Sequence, residues 1–186
     1  MRTSFATIAA VALAAGAFGL AARADQGAGS SPAGAISAYG HFHDVPGAAY
    51  KPEPSRQYKI VFSVTRGAKT PTDVSVGLDK VARTVNLYTS AGVPLSHLHL
   101  VAVMSAEATF AALDNEHYKQ KYGVDNPNLP VIAALKKAGV DVAVCGQAVA
   151  DLGFGFDSVD KSITLAQSAL TTVTTLQQQG YALMPL

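Results

Sequence analysis

Three short apolar runs restrict the fold of this chain more than any other feature. They are YKIVFSV at residues 58–64, HLHLVAVM at residues 97–104 and VDVAVC at residues 140–145. Each is dominated by aliphatic residues with little polar alternation, which is the pattern of a strand covered on both faces. Strands of this kind occur in parallel sheets whose two faces carry helices.

Helical periodicity fills the segments between these runs. The apolar residues of one stripe recur at steps of four and three: Val74, Leu78, Val81, Val85 and Tyr88. This spacing predicts a helix with Asp73 as its N-cap and Gly92 just beyond its end. A later helix is predicted to begin near Pro130 with Asn128 as its N-cap. Residues 106–123 predict a shorter, more polar helix or a pair of turns.

The tail continues the alternation of strands and helices. Composition leaves the tail ambiguous: residues 162–168 could be a strand, residues 169–179 a helix and residues 181–185 a last strand. Strands that alternate with helices imply right-handed crossovers and a parallel sheet. We therefore predict an α/β fold for residues 58–186, a three-layer sandwich with a mainly parallel sheet of about five strands.

The first residues of the chain follow the pattern of a bacterial export signal. Arg2 precedes an apolar run of about a dozen residues, and an Ala-Arg-Ala triplet ends at Ala24. The run is too short for a membrane span. We expect residues 1–24 to be a cleaved signal peptide and the protein to be periplasmic. Residues 25–57 are rich in Gly, Ala and Pro, which predicts a flexible tether and a surface strap.

Charge and motifs exclude several classes of function. Without Arg2 and Arg23 the 14 basic residues of the chain become 12, against 13 acidic ones. This balance lacks the basic stripe that nucleic acid or anionic lipid requires. The sequence has no phosphate-binding loop, no zinc-protease helix and no hydrolase nucleophile motif. We expect no nucleic-acid partner, no membrane span and no cofactor.

The only cysteine of the sequence is Cys145. A single cysteine excludes an intrachain disulfide, so its thiol is buried, paired with another molecule or reactive. Cys145 ends the third apolar run, where parallel sheets hold functional groups. If Gly146 opens a helix, free N–H groups would face the sulfur and favour the nucleophilic thiolate. Free cysteines are also among the most buried residues, so inert packing is the alternative interpretation.

Two His-x-His pairs are weak candidates for a metal site. His97 and His99 lie two residues apart on a predicted strand, so they share a face and could chelate one metal. His41 and His43 lie in the predicted strap and could complete a site if it folds back. Two histidines do not supply four ligands, so His97 and His99 could equally mark the solvated start of a strand.

Four segments taken together resemble the DsrE/DsrF-like family of small sulfur-relay proteins. They are YKIVFSV, GLDKVARTVNLYTSAGV, PVIAALKKAGVDVAVCGQAV and LQQQGYALMPL, and the resemblance spans residues 58–186. It implies a parallel α/β fold and a homo-oligomer, often a trimer or hexamer. Apolar residues of the first helix, including Leu87 and Tyr88, supply surface for a neighbouring subunit. In active members of the family a cysteine accepts sulfur as a persulfide, and Cys145 matches that position.

The resemblance implies an exported sulfur carrier or thiol-exchange protein with Cys145 as the carrier. Gly146 would allow close backbone approach, and Gln147 would donate a hydrogen bond to the outer sulfur. The expected partners are a sulfur donor and an acceptor protein or small thiol, and native Cys145 is expected to be at least partly exposed. The alternative function is a non-catalytic module on the same fold that holds a small ligand or metal.

The export pattern predicts the start of the mature chain. Ala22 and Ala24 present small side chains at the cleavage site, so mature protein should begin at or near Asp25. Intact-mass measurement of protein extracted from the native periplasm checks this expectation. Recovery of a chain that retains Met1 would contradict it.

Overall fold

The computed structural model describes residues 34–186, so the predicted signal peptide and the first part of the tether lie outside the described residues. The elements are β1 (Tyr58–Val64), α1 (Val76–Ser90), β2 (Leu98–Met104), α2 (Asn115–Tyr122), α3 (Leu129–Lys137), β3 (Asp141–Cys145), α4 (Gly146–Asp151), β4 (Thr164–Ala166), α5 (Ala169–Gln178) and β5 (Ala182–Pro185). Short 3-10 turns cover Leu95–His97, Ala106–Ala112 and Phe156–Ser158. Within the described part of the chain, no helix has the length and apolar character to cross a membrane.

The five strands form one parallel sheet in the order β4-β3-β2-β1-β5. Strands β2, β3 and β4 are added in turn on one side of β1. The last strand, β5, pairs with the other side of β1. Right-handed crossovers in two directions place helices on both faces. The predicted α/β fold is confirmed, and this sheet is entirely rather than mainly parallel.

The two faces of the sheet differ in how well they are covered. Alternate strand residues point to opposite faces. On one face, Ile60, Phe62 and Val64 of β1 belong to the main apolar core, together with residues of α1 and α3. Val61, Val103 and Ala143 are also buried and belong to the opposite face. That face receives α5, which packs against β1 and β2 but has no fully buried residue.

The start of α1 differs from the sequence prediction. Asp73 was expected as the N-cap, but α1 begins at Val76 and Ser75 occupies the cap position. The Asp73 carboxylate instead accepts a hydrogen bond from the Thr70 backbone N–H at 3.2 Å, which holds it in the preceding turn. The predicted C-terminal glycine is confirmed, because Gly92 follows the end of α1 with a φ of 89°.

One buried side chain, Asn86 of α1, fixes residues 34–43 along the helix. Its Oδ1 accepts the backbone N–H of Ile36 at 2.8 Å. Its Nδ2 donates to the carbonyl oxygens of Ile36 at 2.9 Å, Tyr39 at 2.9 Å and Gly40 at 3.1 Å. Asn86 is only 2% exposed. We call residues 34–43 the strap, and its backbone is bound mainly by this single amide.

Close approach at Gly40 lets the strap pack on α1. Gly40 has a φ of 66°, and a Cβ at this position would overlap the backbone nitrogen of Arg83. Its own N–H donates to Asp79 Oδ1 at 2.8 Å. Ile36 before this glycine and Phe42 after it are buried. The strap therefore depends on a glycine at the close contact and two apolar anchors.

Replacing Asn86 with alanine should release the strap. The change leaves buried backbone groups of the strap without partners, which should lower the free energy of unfolding by about 2 kcal/mol. Limited proteolysis should cut within residues 34–43 faster than in the wild type, and chemical denaturation measures the stability. The matched control is Lys80→Ala, an exposed position on the same helix. Equal proteolysis of both variants would contradict the assigned role of Asn86.

Candidate functional site

Cys145 is the last residue of β3 and directly precedes α4. In the sheet it pairs with Ala166 at the end of β4. It lies two residues after Ala143, so its side chain belongs to the face that α5 covers. Only 5% of Cys145 is exposed. The expectation of a partly exposed thiol is therefore wrong for this structure.

Gly146 and Gln147 both contact the chain that follows β4. A Cβ at position 146 would lie 2.9 Å from the carbonyl oxygen of Ala166 and 3.5 Å from that of Gln167. The exposed Gln147 side chain donates through Nε2 to the Gln167 carbonyl at 3.5 Å. A side chain at position 146 would push the end of β4 away from Cys145.

Two helices begin close to the Cys145–Ala166 pair. The first residue of α4 is Gly146, the residue after the cysteine. The N-cap of α5 is Ser168, two residues after Ala166, and its Oγ accepts the Leu170 N–H at 3.2 Å. Helix N-termini carry partial positive charge. The first backbone N–H groups of two helices therefore lie near the cysteine end of β3.

The histidine pairs do not form a metal site in the described chain. His97 lies in the 3-10 turn before β2, and its Nδ1 is 3.1 Å from a backbone carbonyl oxygen. His99 lies in β2, with Nε2 2.8 Å from Gln57 Oε1. His41 and His43 lie in the strap and are exposed. Within residues 34–186, no three His, Cys, Asp or Glu side chains are grouped to hold one metal ion.

A cavity of about 340 Å³ opens at the carboxyl edge of the sheet, beyond the ends of β1 and β2. It is lined by residues 67–71, by the 3-10 turn after β2, by α2 and by Asn128. Cys145 does not line it. Sequence reasoning assigned no function to any of these residues, because they lie in connections that pattern analysis leaves as turns or polar helix ends.

A buried asparagine network frames this cavity. Asn126 Nδ2 donates to the carbonyl oxygens of Ala111 at 3.1 Å and Leu113 at 2.6 Å. Asn126 Oδ1 accepts the backbone N–H of Asn128 at 2.9 Å and its side-chain amide at 3.0 Å. Asn128 Oδ1 then accepts the Ser75 N–H at 2.7 Å. The starts of α1 and α3 and the end of the 3-10 turn are thereby joined.

The role of Asn128 is broader than the sequence predicts. It occupies the predicted N-cap position of α3, but its side chain makes no capping bond to that helix. Its oxygen bonds the N-cap residue of α1 instead. The Asn-Pro-Asn motif at residues 126–128 was the available signal, since two asparagines near a helix start can bind backbone outside that helix.

Aromatic rings form one wall of the cavity. Phe110 and Tyr122 pack edge to face with ring centroids 5.9 Å apart, and the rings of Tyr118 and Tyr122 are 4.7 Å apart. The Tyr118 hydroxyl donates to the Pro71 carbonyl at 2.8 Å. Burial raises the pKa of Tyr118 and Tyr122, so both remain neutral at physiological pH. Lys121 Nζ lies 4.8 Å from the Phe110 ring centroid.

An Asp-His pair fixes the helix that carries these tyrosines. Asp114 caps α2 by accepting the His117 N–H at 2.8 Å, and His117 Nδ1 also lies 2.8 Å from its Oδ1. The hydrogen bond to Asp114 raises the pKa of His117. Desolvation alone would raise the pKa of Asp114, but the hydrogen bonds from His117 outweigh it and lower that pKa. The pair stabilises the first turn of α2.

The single parallel sheet with its helices places the protein in the parallel α/β class. Its one cysteine lies at the carboxyl end of a central strand of that sheet. The sequence model of the DsrE/DsrF-like family matches residues 58–186, and the chain belongs to this family. The chain is also similar to a solved structure, the protein of unknown function MTH1491 from Methanobacterium thermoautotrophicum. The two are 15% identical with a TM-score of 0.53, over 70% of this chain and 100% of that one. No curated protein matches the chain.

Proposed function

We propose that this protein is an exported sulfur carrier or thiol-exchange protein in which Cys145 holds sulfane sulfur. Membership of the DsrE/DsrF-like family supports a sulfur-relay-type role. The observation that carries the specific proposal is the position of Cys145, which lies at the carboxyl end of β3 and immediately before α4. This end of a parallel sheet is where α/β proteins bind and transform ligands.

The backbone next to Cys145 supplies hydrogen-bond donors. The backbone N–H groups at the start of α4 follow Cys145 directly, and α5 begins next to the residue paired with it. The first N–H groups of a helix have no partner within that helix, so they can donate to a bound sulfur species. A thiolate is the form that attacks a sulfur donor. Gln147 is exposed and supplies an amide donor to the outer sulfur.

Access to Cys145 requires a local opening, because the residue is 5% exposed. The elements beside it are suited to such an opening. The paired strand β4 has three residues, none of them buried, and α5 has no buried residue. Segments with few buried apolar contacts open at a small free-energy cost while the rest of the domain stays folded. Movement of β4, which pairs with Cys145 through Ala166, would expose the sulfur to a donor.

The proposed reaction is a transfer of one sulfur atom without net oxidation or reduction. The Cys145 thiolate attacks the outer sulfur of a donor persulfide, a new S–S bond forms, and the donor S–S bond breaks to release the donor thiol. An acceptor thiolate then attacks the outer sulfur on Cys145 and leaves the original thiolate behind. Because the sequence has no second cysteine, both donor and acceptor are other molecules.

Sulfur uptake tests the role of Cys145 directly. Native protein treated with polysulfide should gain one sulfur atom by intact-mass spectrometry, and Cys145→Ser should gain none. Gly146→Ala should react faster with iodoacetamide than the wild type, because its methyl group displaces the end of β4. Circular dichroism of each variant is the control that it remains folded.

The opposite outcome is equally clear. If the wild type takes up no sulfur and reacts with iodoacetamide only after unfolding, Cys145 is a core residue and the alternative function, a binding module, is favoured. Normal folding of Cys145→Ser in that case would confirm that the thiol serves packing alone.

We also propose that the protein forms a homo-oligomer. Three leucines on the two edge strands and on α5 are exposed, to 80% for Leu170, 44% for Leu165 and 42% for Leu183. Exposed apolar residues on the outer strands and on α5 favour burial against another copy of the chain. Of the residues expected on α1, Leu87 is 43% exposed, whereas Tyr88 packs on Tyr58 with ring centroids 4.5 Å apart.

Light scattering tests this assembly. The mature protein should have a mass several times that of one chain at micromolar concentration. Leu170→Glu should shift the mass toward the monomer, because a charge in a buried interface is costly. Val45→Glu, at a position 63% exposed outside these elements, should leave the mass unchanged. A monomeric wild type would contradict the proposal.

A further inference from the structure

We propose that the cavity at the carboxyl edge binds a small zwitterion with an apolar side chain, of the size and chemistry of an amino acid. The site consists of the loop after β1, the 3-10 turn after β2 and the tyrosines of α2. It is separate from Cys145, so the inference does not depend on sulfur transfer. Three observations carry it: the size of the cavity, its apolar wall and the charges at its mouth.

The volume and lining suit a ligand of this size. At about 340 Å³ the cavity is near the lower end of the range of about 300–1,000 Å³ found for small-molecule sites. Two of its lining residues are buried, since Tyr118 is 3% and Asn128 1% exposed. Their polar groups are already engaged, because the Tyr118 hydroxyl donates to Pro71 and the Asn128 oxygen accepts from Ser75. The aromatic residues of the lining therefore offer mainly ring surface to a ligand.

The aromatic wall is held in place before any ligand binds. The Tyr122 ring packs against both Phe110 and Tyr118, and Lys121 lies over the rings of Phe110 and Tyr122. The Asp-His pair at the start of α2 fixes the helix that carries both tyrosines. A preorganised apolar wall binds a side chain with little loss of conformational entropy.

Opposite charges stand at the mouth of the cavity. Lys69 lines it from the loop after β1, and Glu107 lines it from the 3-10 turn after β2. Both residues are exposed, and among residues 34–186 neither forms an ion pair or a side-chain hydrogen bond. Each charge is therefore available to a ligand, and the two belong to different segments of the chain.

This arrangement selects against ligands with a single charge. A simple anion is attracted by Lys69 but repelled by the carboxylate of Glu107. A simple cation is attracted by Glu107 but repelled by Lys69. A zwitterion places its carboxylate near Lys69 and its ammonium near Glu107, which satisfies both groups. Its apolar side chain then enters the cavity and contacts Phe110 and Tyr122.

Titration of the full mature protein with L-phenylalanine tests the proposal by NMR. We expect saturable shifts of the backbone amide signals of Gly67, Ala68 and Phe110. N-acetyl-L-phenylalanine lacks the ammonium group, L-phenylalanine amide lacks the carboxylate, and glycine lacks the apolar side chain. Each should bind at least about tenfold more weakly, because each loses a charge-assisted hydrogen bond or the aromatic contact.

Variants of the two charges sharpen the test. Lys69→Gln and Glu107→Gln should each weaken L-phenylalanine binding about tenfold, since each removes one charged partner. The double variant Lys69→Glu with Glu107→Lys keeps both charges at the mouth and should bind more tightly than either single variant. Lys161→Gln, an exposed lysine that does not line the cavity, is the control and should bind like the wild type.

Three results would overturn the inference. One is equal binding of L-phenylalanine and its singly charged analogues. Another is a set of shifts confined to residues outside the cavity. The third is the absence of shifts at millimolar concentrations in a folded wild type. None of these results depends on the chemistry of Cys145, because Cys145→Ser should bind L-phenylalanine as the wild type does.

Discussion

The buried amide of Asn126 is the interaction on which the carboxyl edge of this protein depends. It bonds the backbone on both sides of residue 112 and, through Asn128, the start of α1. The loops at the end of a parallel sheet lack the regular hydrogen bonds between strands. Their buried backbone N–H and C=O groups therefore need other partners, such as side chains. One asparagine pair supplies them for three connections at once. The cavity and the helices around it are positioned as a consequence.

The carboxyl edge thus presents two different environments on the two faces of one sheet. On the side of α1 and α3 the core is dense, and the connections above it form a cavity with rings and charges. On the other face α5 packs on β1 and β2 without a fully buried residue, and Cys145 belongs to this face at the end of β3, next to two helix starts. A preorganised cavity loses little conformational entropy when it binds a ligand, whereas a buried thiol becomes accessible only when its neighbours move.

Sequence patterns predicted the elements well because their apolar spacing is set by burial against the sheet. The first three strands, the helix after β1 and the end of β3 at Cys145 follow from that spacing, whereas the two tail strands were predicted from composition. The N-cap of α1 was wrong because Asp73 closes a turn with Thr70, a local competition that spacing does not show. The cavity and the partners of Asn86 and Asn126 arise from residues distant in sequence, which no local pattern contains. The exposure of Cys145 likewise depends on how its neighbours pack.

In the strap, one helix residue reduces the number of positions at which the side chain must be conserved for attachment. Asn86 binds the strap through backbone groups of Ile36, Tyr39 and Gly40, so it recognises the path of the chain rather than its side chains. Evolutionary drift at residues 37, 38 and 41, which are exposed, is therefore nearly neutral for this attachment. These three positions can change while the docking of the strap through Asn86, Gly40 and the buried Ile36 and Phe42 stays fixed.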